Sequence, residues 1–276
     1  MVAVPRASQR AVCRVLGISR SVVHRPKASQ KTSGSIDHVL ATRIHKLILR
    51  YPTYGYRRIW ALLRFKQGIQ VNRKAVYRVL RLKRWFVHQR CVTPRPRVKA
   101  KRSRAAGSDQ RWATDVTHVH CGADGWGHLA AVIDCHDREL IGWEFALRGR
   151  AKEAERALEA ACLKRFGTLR PTQSTPVVRS DNGLIFQSKR FREACRSSQL
   201  RQEFITPHTP EQNGMIERFF RSFKEECVWQ HNFKVFAEGK RATSAWLDWY
   251  NAERPHQALG YKSPRQFRQE SGQLVA

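Results

Sequence analysis

Apolar positions along the chain keep a helical period in its first third and change to strand alternation near residue 108. Ala11, Val12, Val15 and Leu16 share one helical face, Gly17 interrupts it, Ser19 can cap a second turn, and Val22 and Val23 resume the stripe. Two helices this short bury little, so the pair, with Arg14, Arg20 and Arg25 outside, suits either a helix-turn-helix fragment or a basic arm. A linker with Pro, Ser and Gly follows at 26–35. Ile36, Val39, Leu40, Ile44, Leu47 and Ile48 then keep helical spacing until Pro52 stops the run. A second helix starts at Tyr54-Gly55-Tyr56-Arg57-Arg58-Ile59, continues through Trp60, Leu62 and Leu63, and ends at Gly68. Asn72 can cap a third helix that turns Val76, Val79 and Leu80 inward and Arg73, Lys74, Tyr77, Arg78 and Arg81 outward.

Past a basic, Pro-containing linker at 85–107, alternation predicts strands at about 111–119, 127–134 and 139–146. A helix follows at 151–166, with Ala154, Ala157, Leu158, Ala161 and Cys162 inward. Next come a strand near 176–179, a helix near 188–197 and a strand near 202–205. Between Thr206 and Cys227 a loop marked by Pro207, Pro210 and Gly214 runs into an amphipathic helix, whose stripe is Ile216, Phe219, Phe220, Phe223 and Cys227. A last helix near 240–252 carries Trp246, Leu247, Trp249 and Tyr250. Pattern alone therefore gives an all-α region followed by an α/β domain. The expected divisions are 1–30, 36–84, 85–107, 108–235 and 236–276.

Charge sharpens that division. Of a formal net charge of +30, residues 1–107 contribute +26, from 27 Lys and Arg against the single acid Asp37. Such a block calls for a polyanion, and nucleic acid is the expected partner. No long apolar run or leader-like segment points to a membrane. The seven scattered cysteines fit reduced thiols in a cytosol.

Three acids stand out. Glu217, Arg221 and Lys224 fall at i, i+4 and i+7, on a ridge beside the apolar stripe. Asp181 sits where Pro-Val-Val-Arg-Ser-Asp meets Asn-Gly, and Asp115 lies in the alternating Arg-Trp-Ala-Thr-Asp-Val-Thr-His-Val. Each alone has a plain reading, a turn residue for Asp181 and an i, i+4 partner of Arg221 for Glu217. The nearby His118, His120, Cys121, His128, Cys135 and His136 lack the paired spacing of a zinc site and suit a sheet surface.

Thirty-five residues separate Asp181 from Glu217. Together with Asp115, with Gln212-Asn213-Gly214 and with the tail from Tyr250-Asn251-Ala252-Glu253-Arg254-Pro255-His256, this resembles the D,D-35-E catalytic core of retroviral integrases and insertion-sequence transposases. The closer likeness is to transposases encoded in two overlapping frames, this chain being the catalytic second frame. The Tyr54-Gly55-Tyr56-Arg57-Arg58-Ile59 run resembles the second helix-turn-helix of that group. The resemblance implies a ribonuclease-H-like core, with a mixed five-stranded sheet and helices, behind a helix-turn-helix region. It implies that Asp115, Asp181 and Glu217 are catalytic and hold two Mg²⁺ ions (or Mn²⁺), Asp115 bridging both. Oxygen ligands and a two-ion site suit phosphodiester cleavage and transfer, with no Ser or Tyr nucleophile. Arg221 and Lys224 would contact the DNA end, and Arg57, Arg58, Arg73, Lys74, Arg78 and Arg81 would contact DNA from the helical region. The implied partners are element ends and target DNA, further copies of the chain on DNA and an upstream-frame protein or fusion, in a bacterial cytoplasm at the nucleoid. A His-His-Cys-Cys zinc module of the retroviral kind has no counterpart here. The readings from other classes are a DNA-binding protein without catalysis, such as a decayed remnant, and a nuclease without strand transfer.

Overall fold

Strand alternation from residue 111 places successive side chains on opposite faces of a sheet, and both faces are buried. The computed structural model describes residues 8–17, 19–20, 37–87, 105–171, 175–207 and 209–273. They fall into two compact units, Met1–Lys46 and Leu47–Ala276.

In the second unit β1 (Arg111–His120), β2 (Trp126–Asp134) and β3 (Leu140–Ala146) form an antiparallel meander. The helix α5 (Ala151–Phe166) crosses over to β4 (Val177–Ser180), which lies parallel to β1, and β5 (Arg201–Phe204) lies parallel to β4. The strand order is β3-β2-β1-β4-β5, so β1 is central. One face packs Trp112, Ala130, Val132 and Ile141 against α5 and against α7 (Lys189–Ser197). The other packs Ala113, Ala131, Ile133 and Phe145 against α8 (Gly214–Glu226) and α9 (Phe236–Ala252). The expected helix at 151–166 and the apolar stripe of α8 form as read from the pattern, with Ile216, Phe219, Phe220, Phe223 and Cys227 all buried. Two features depart from it: a four-residue helix α6 (Leu184–Gln187) precedes α7, and α9 begins at Phe236 rather than 240.

The helical part of this unit contains α3 (Tyr56–Ala61), continued as a π turn over Leu62–Lys66, and α4 (Arg73–Lys83). Asn72 caps α4 by accepting from the Lys74 N–H at 2.8 Å, and Val76, Val79 and Leu80 are buried, as expected. This part is tied to the tail. Tyr54 packs against Trp249, Trp60 packs edge-on against Tyr261, and Lys66 pairs with Glu253 at 2.7 Å. The last helix, α10 (Pro264–Gln273), is joined to the core by Arg268, which pairs with Asp109 at 3.1 Å and Asp137 at 3.2 Å.

In the first unit α1 (Gln9–Val15) is capped by Ser8, and α2 (His38–Arg50), which runs on past this unit, is capped by Asp37. Here the pattern misleads. Val12, Val15, Leu16 and Val39 are exposed, while Cys13, Leu40, Ala41 and Ile44 are buried. The second helix of the early pair, with Val22 and Val23, and most of the 85–107 linker lie outside the described residues. Among the described residues no helix is long and apolar enough to cross a membrane.

Gly142 on β3 lets α5 approach closely: a Cβ there would lie 2.0 Å from the Ala157 carbonyl oxygen and 2.6 Å from the Ala161 nitrogen. Gly142→Ala must therefore push backbone from backbone, and urea melts should show a loss of about 1–3 kcal/mol. Gly214, at the start of α8, has open space and a helical φ of −58°. Gly214→Ala should be neutral or stabilise by up to about 1 kcal/mol.

Candidate active site

Asp115 lies on central strand β1, at the same parity as Ala113 and Val119, and so on the face that meets α8. Its Oδ1 accepts from the Val116 N–H at 2.8 Å. β4 runs parallel beside it, with Ala113 opposite Arg179. Two residues further along both strands are Asp115, in the middle of β1, and Asp181, just past the end of β4, so the parallel register sets the two side by side. Asp181 follows β4 directly, and its Oδ1 accepts from the Gly183 N–H at 2.9 Å in a tight turn. Asn182 fastens that turn by donating to the Ile205 carbonyl at 2.9 Å.

Glu217 occupies the first turn of α8 and is exposed. What brings α8 to the strands is its apolar stripe and two polar ties. Asn213, buried, donates to the Thr114 carbonyl at 3.5 Å, next to Asp115. Arg179, also buried, donates to the Gln212 carbonyl at 3.0 Å and pairs with Glu203 at 3.0 Å. Sequence reading missed Arg179 as a brace; the Gln-Asn-Gly run was the signal available for the other tie.

The electrostatics link all three acids. Burial pushes the Asp115 carboxyl up to about 7, and the charges of Asp181 and Glu217 add to the rise, while the Val116 N–H and Lys224 work against it. Glu217 is also raised, by partial desolvation and by Glu211. Asp115 is thus near enough to feel the charges of both Asp181 and Glu217. The three are not already drawn around one point: among the described residues no three His, Cys, Asp or Glu side chains are grouped to hold a metal ion. Their chemistry, oxygen donors crowded with negative charge, fits a hard divalent cation, and side-chain rotation would be needed to complete its shell.

The basic residues separate into two groups. Lys224 is half-buried and forms no ion pair among the described residues, and its charge works slightly against the rise of Asp115. Arg221 is exposed and pairs with Glu225 at 2.8 Å. Arg73, Lys74, Arg78 and Arg81 are exposed along α4. Arg57 is exposed and donates to Gln257 at 3.3 Å. Arg58 departs from the expectation of a DNA-facing side chain. It is turned inward onto Glu226 at 2.8 Å and over the Tyr54 ring at 4.9 Å, because Glu226 is a buried carboxylate that needs cations.

Similarity to known proteins agrees with this architecture. Integrase core domain models match residues 105–210 and 198–264, and an HTH-like domain model matches residues 36–90. The chain is 31% identical over 237 residues to the transposase InsD for insertion element IS2A/D/F/H/I/K of Escherichia coli, covering 82% of this chain and 76% of that protein. It has the same identity to the InsD transposase for insertion element IS2-9 of Escherichia coli strain K12. In fold it is similar to a chain of the simian T-cell lymphotropic virus intasome in complex with PP2A regulatory subunit B56 gamma, with a TM-score of 0.50 at 18% identity over 81% of this chain and 73% of that one. With a mixed five-stranded sheet, an integrase-type ribonuclease-H-like core and a helix-turn-helix-like region ahead of it, the chain belongs to the insertion-element transposases, polynucleotidyl transferases of the DDE type.

Proposed function

We propose that this transposase binds the ends of its element and cuts and joins DNA strands at Asp115, Asp181 and Glu217, which hold two Mg²⁺ ions or Mn²⁺ in their place. The observation that carries the reading is geometric: the parallel pairing of β1 with β4 sets Asp115 beside Asp181, on the sheet face covered by α8, the helix that bears Glu217. The rise of Asp115, from burial and from those two acids, agrees with it. A fold keeps such repulsion where function needs it. Bound there, the ions would neutralise charge at phosphorus and ready the attacking oxygen. Asp115 is the acid that feels the charge of both others, and with them it would supply oxygen donors for the ions. Water opens the phosphodiester at the element end and frees a 3′-hydroxyl, which then attacks the target strand. Lys224, which has no ion pair among the described residues and lies two helical turns beyond Glu217 on α8, would hold a neighbouring phosphate of the cut strand. Arg73, Lys74, Arg78 and Arg81 on α4 would bind the duplex backbone, and Arg57 adds a further exposed cation; Arg58 is left out because Glu226 occupies it. Further copies of the chain and an upstream-frame partner would complete the complex on DNA.

Asp115→Asn, Asp181→Asn and Glu217→Gln should each abolish cleavage and joining in Mg²⁺ while keeping DNA affinity within about threefold of wild type. Wild-type strand transfer by any one of them would remove that residue from the ligand set.

Lys224→Ala and Arg221→Ala should differ. Single-turnover cleavage of a pre-bound end should slow more than about tenfold for Lys224→Ala, the scale of one lost charge-assisted contact. Arg221→Ala should stay within about twofold, since an exposed i, i+4 pair contributes only tenths of a kcal/mol. Equal rates for the two variants would reject the assignment.

A further inference from the structure

A cavity of about 690 Å³ opens between residues 55–58, the turn after β2, α8 and the segment that follows α9. Five arginines line it: Arg57, Arg58, Arg138, Arg218 and Arg254. Two of them are framework. Arg254, almost fully buried, grips Glu226 through two hydrogen bonds of 2.7 and 2.8 Å and donates to Ser222 at 3.0 Å, and Arg58 shares the same carboxylate. Arg57 is held by Gln257. Arg138 and Arg218 have no carboxylate partner among the described residues.

The placement of Arg138 is costly. Arg138 is half-buried and sits in the left-handed backbone region, with φ of 61°, which a residue with a Cβ adopts at a cost. Burial, with Arg254 and Arg218 nearby, pushes its guanidinium below its usual range, although Tyr250 opposes the shift. Tyr261, with φ of 68°, also lines the cavity, and its buried hydroxyl has no hydrogen-bond partner. A concave wall with two unspent cations is complementary to an anion. The half-buried rings of Tyr56 and Tyr261 add aromatic surface. The volume suits a small molecule or one nucleotide, and a duplex is far too wide for it. Arg218 directly follows Glu217, about 100° round the helix and about 1.5 Å along it, so the cavity opens on the flank of the proposed catalytic centre.

We propose that this cavity captures one unpaired nucleotide of the DNA strand beside the cleavage position, its phosphate between Arg138 and Arg218 and its base against the aromatic wall. The proposal rests on the catalytic reading of Glu217 for its location, and on the arginines and Tyr261 for its ligand.

Full-length protein is titrated with two fluorescent duplexes of one sequence, one blunt and one carrying a short single-stranded extension with 2-aminopurine at its first unpaired position. Wild type should bind the extended duplex about tenfold more tightly, the scale of one stacked base, and quench the 2-aminopurine. Arg138→Gln combined with Arg218→Gln should keep blunt-duplex affinity within about threefold, lose the preference and leave the 2-aminopurine bright. Arg218→Gln alone, at an exposed position on α8, should show the same direction with an unchanged melting temperature. Equal binding of both duplexes by wild type, a preference that survives the substitutions, or an equal loss on both duplexes would overturn the proposal. Since binding rather than cleavage is read, an inactive triad with the preference intact, or an active triad without it, tells failure of the catalytic reading from failure of the cavity.

Discussion

Bringing Asp115, Asp181 and Glu217, which sit on three different elements, to one face of the sheet is the constraint on which the rest of the structure depends. Burial raises the Asp115 carboxyl, and the charges of Asp181 and Glu217 add to the rise. Strand pairing and helix packing hold this arrangement. Parallel pairing of β1 with β4 sets Asp181, just past the end of β4, beside Asp115 in the middle of β1. The apolar stripe of α8 buries Ile216, Phe219, Phe220 and Phe223 against the same sheet face. Asn213 and Arg179 complete the attachment by satisfying the carbonyls of Thr114 and Gln212. The raised carboxyl of Asp115 is the residue of repulsion and desolvation that this packing leaves in place.

The tail has a comparable role at the other end of α8. Glu226 receives Arg254 from after α9 and Arg58 from α3, which ties a helical element, the catalytic-face helix and the C-terminal segment through one carboxylate. Arg254 in turn lies over the Tyr250 ring at 5.4 Å and donates toward His256 at 3.3 Å. Burial, and the positive charges of Arg254, Arg138 and Arg58, hold His256 far below its usual range, so it is neutral and accepts that hydrogen bond. A buried ion pair of this kind adds little net stability but specifies geometry, since removing one partner strands the other. This gives the Tyr-Asn-Ala-Glu-Arg-Pro-His segment a physical role, which its sequence pattern alone did not disclose.

Elements governed by local periodicity were legible in the sequence. The meander over 111–146, the helix 151–166, the Asn72 cap and the α8 stripe all follow from alternation, spacing and capping within a few residues. What was not legible depends on distant partners. Arg58 reads as a DNA-facing cation beside Arg57 until Glu226, 168 residues away, is brought to it. Val12, Val15 and Val39 fit a helical stripe yet are exposed, because a stripe records only that a face could be buried. For the candidate site, the Asp181–Glu217 spacing and the neighbouring Gln-Asn-Gly run singled out the acids. That Lys224 forms no ion pair among the described residues while Arg221 pairs with Glu225 depends on side-chain choice, which spacing does not fix.

The crowding of the acids makes proton release on cation binding the most direct test. A carboxyl with a folded value near 7, against the ordinary aspartate value of 3.8, favours the folded state below about pH 4, and that contribution is lost as pH rises through 7. Near neutral pH part of the Asp115 population therefore carries a proton, which a bound divalent cation displaces. Isothermal titration of full-length protein with Mn²⁺, in buffers of different ionisation enthalpy, measures that proton. Proton release is expected at pH 7, shrinking toward zero as the pH is raised, and it should be reduced in Asp115→Asn. Binding with no proton release at pH 7, or release that persists unchanged in Asp115→Asn, would contradict it.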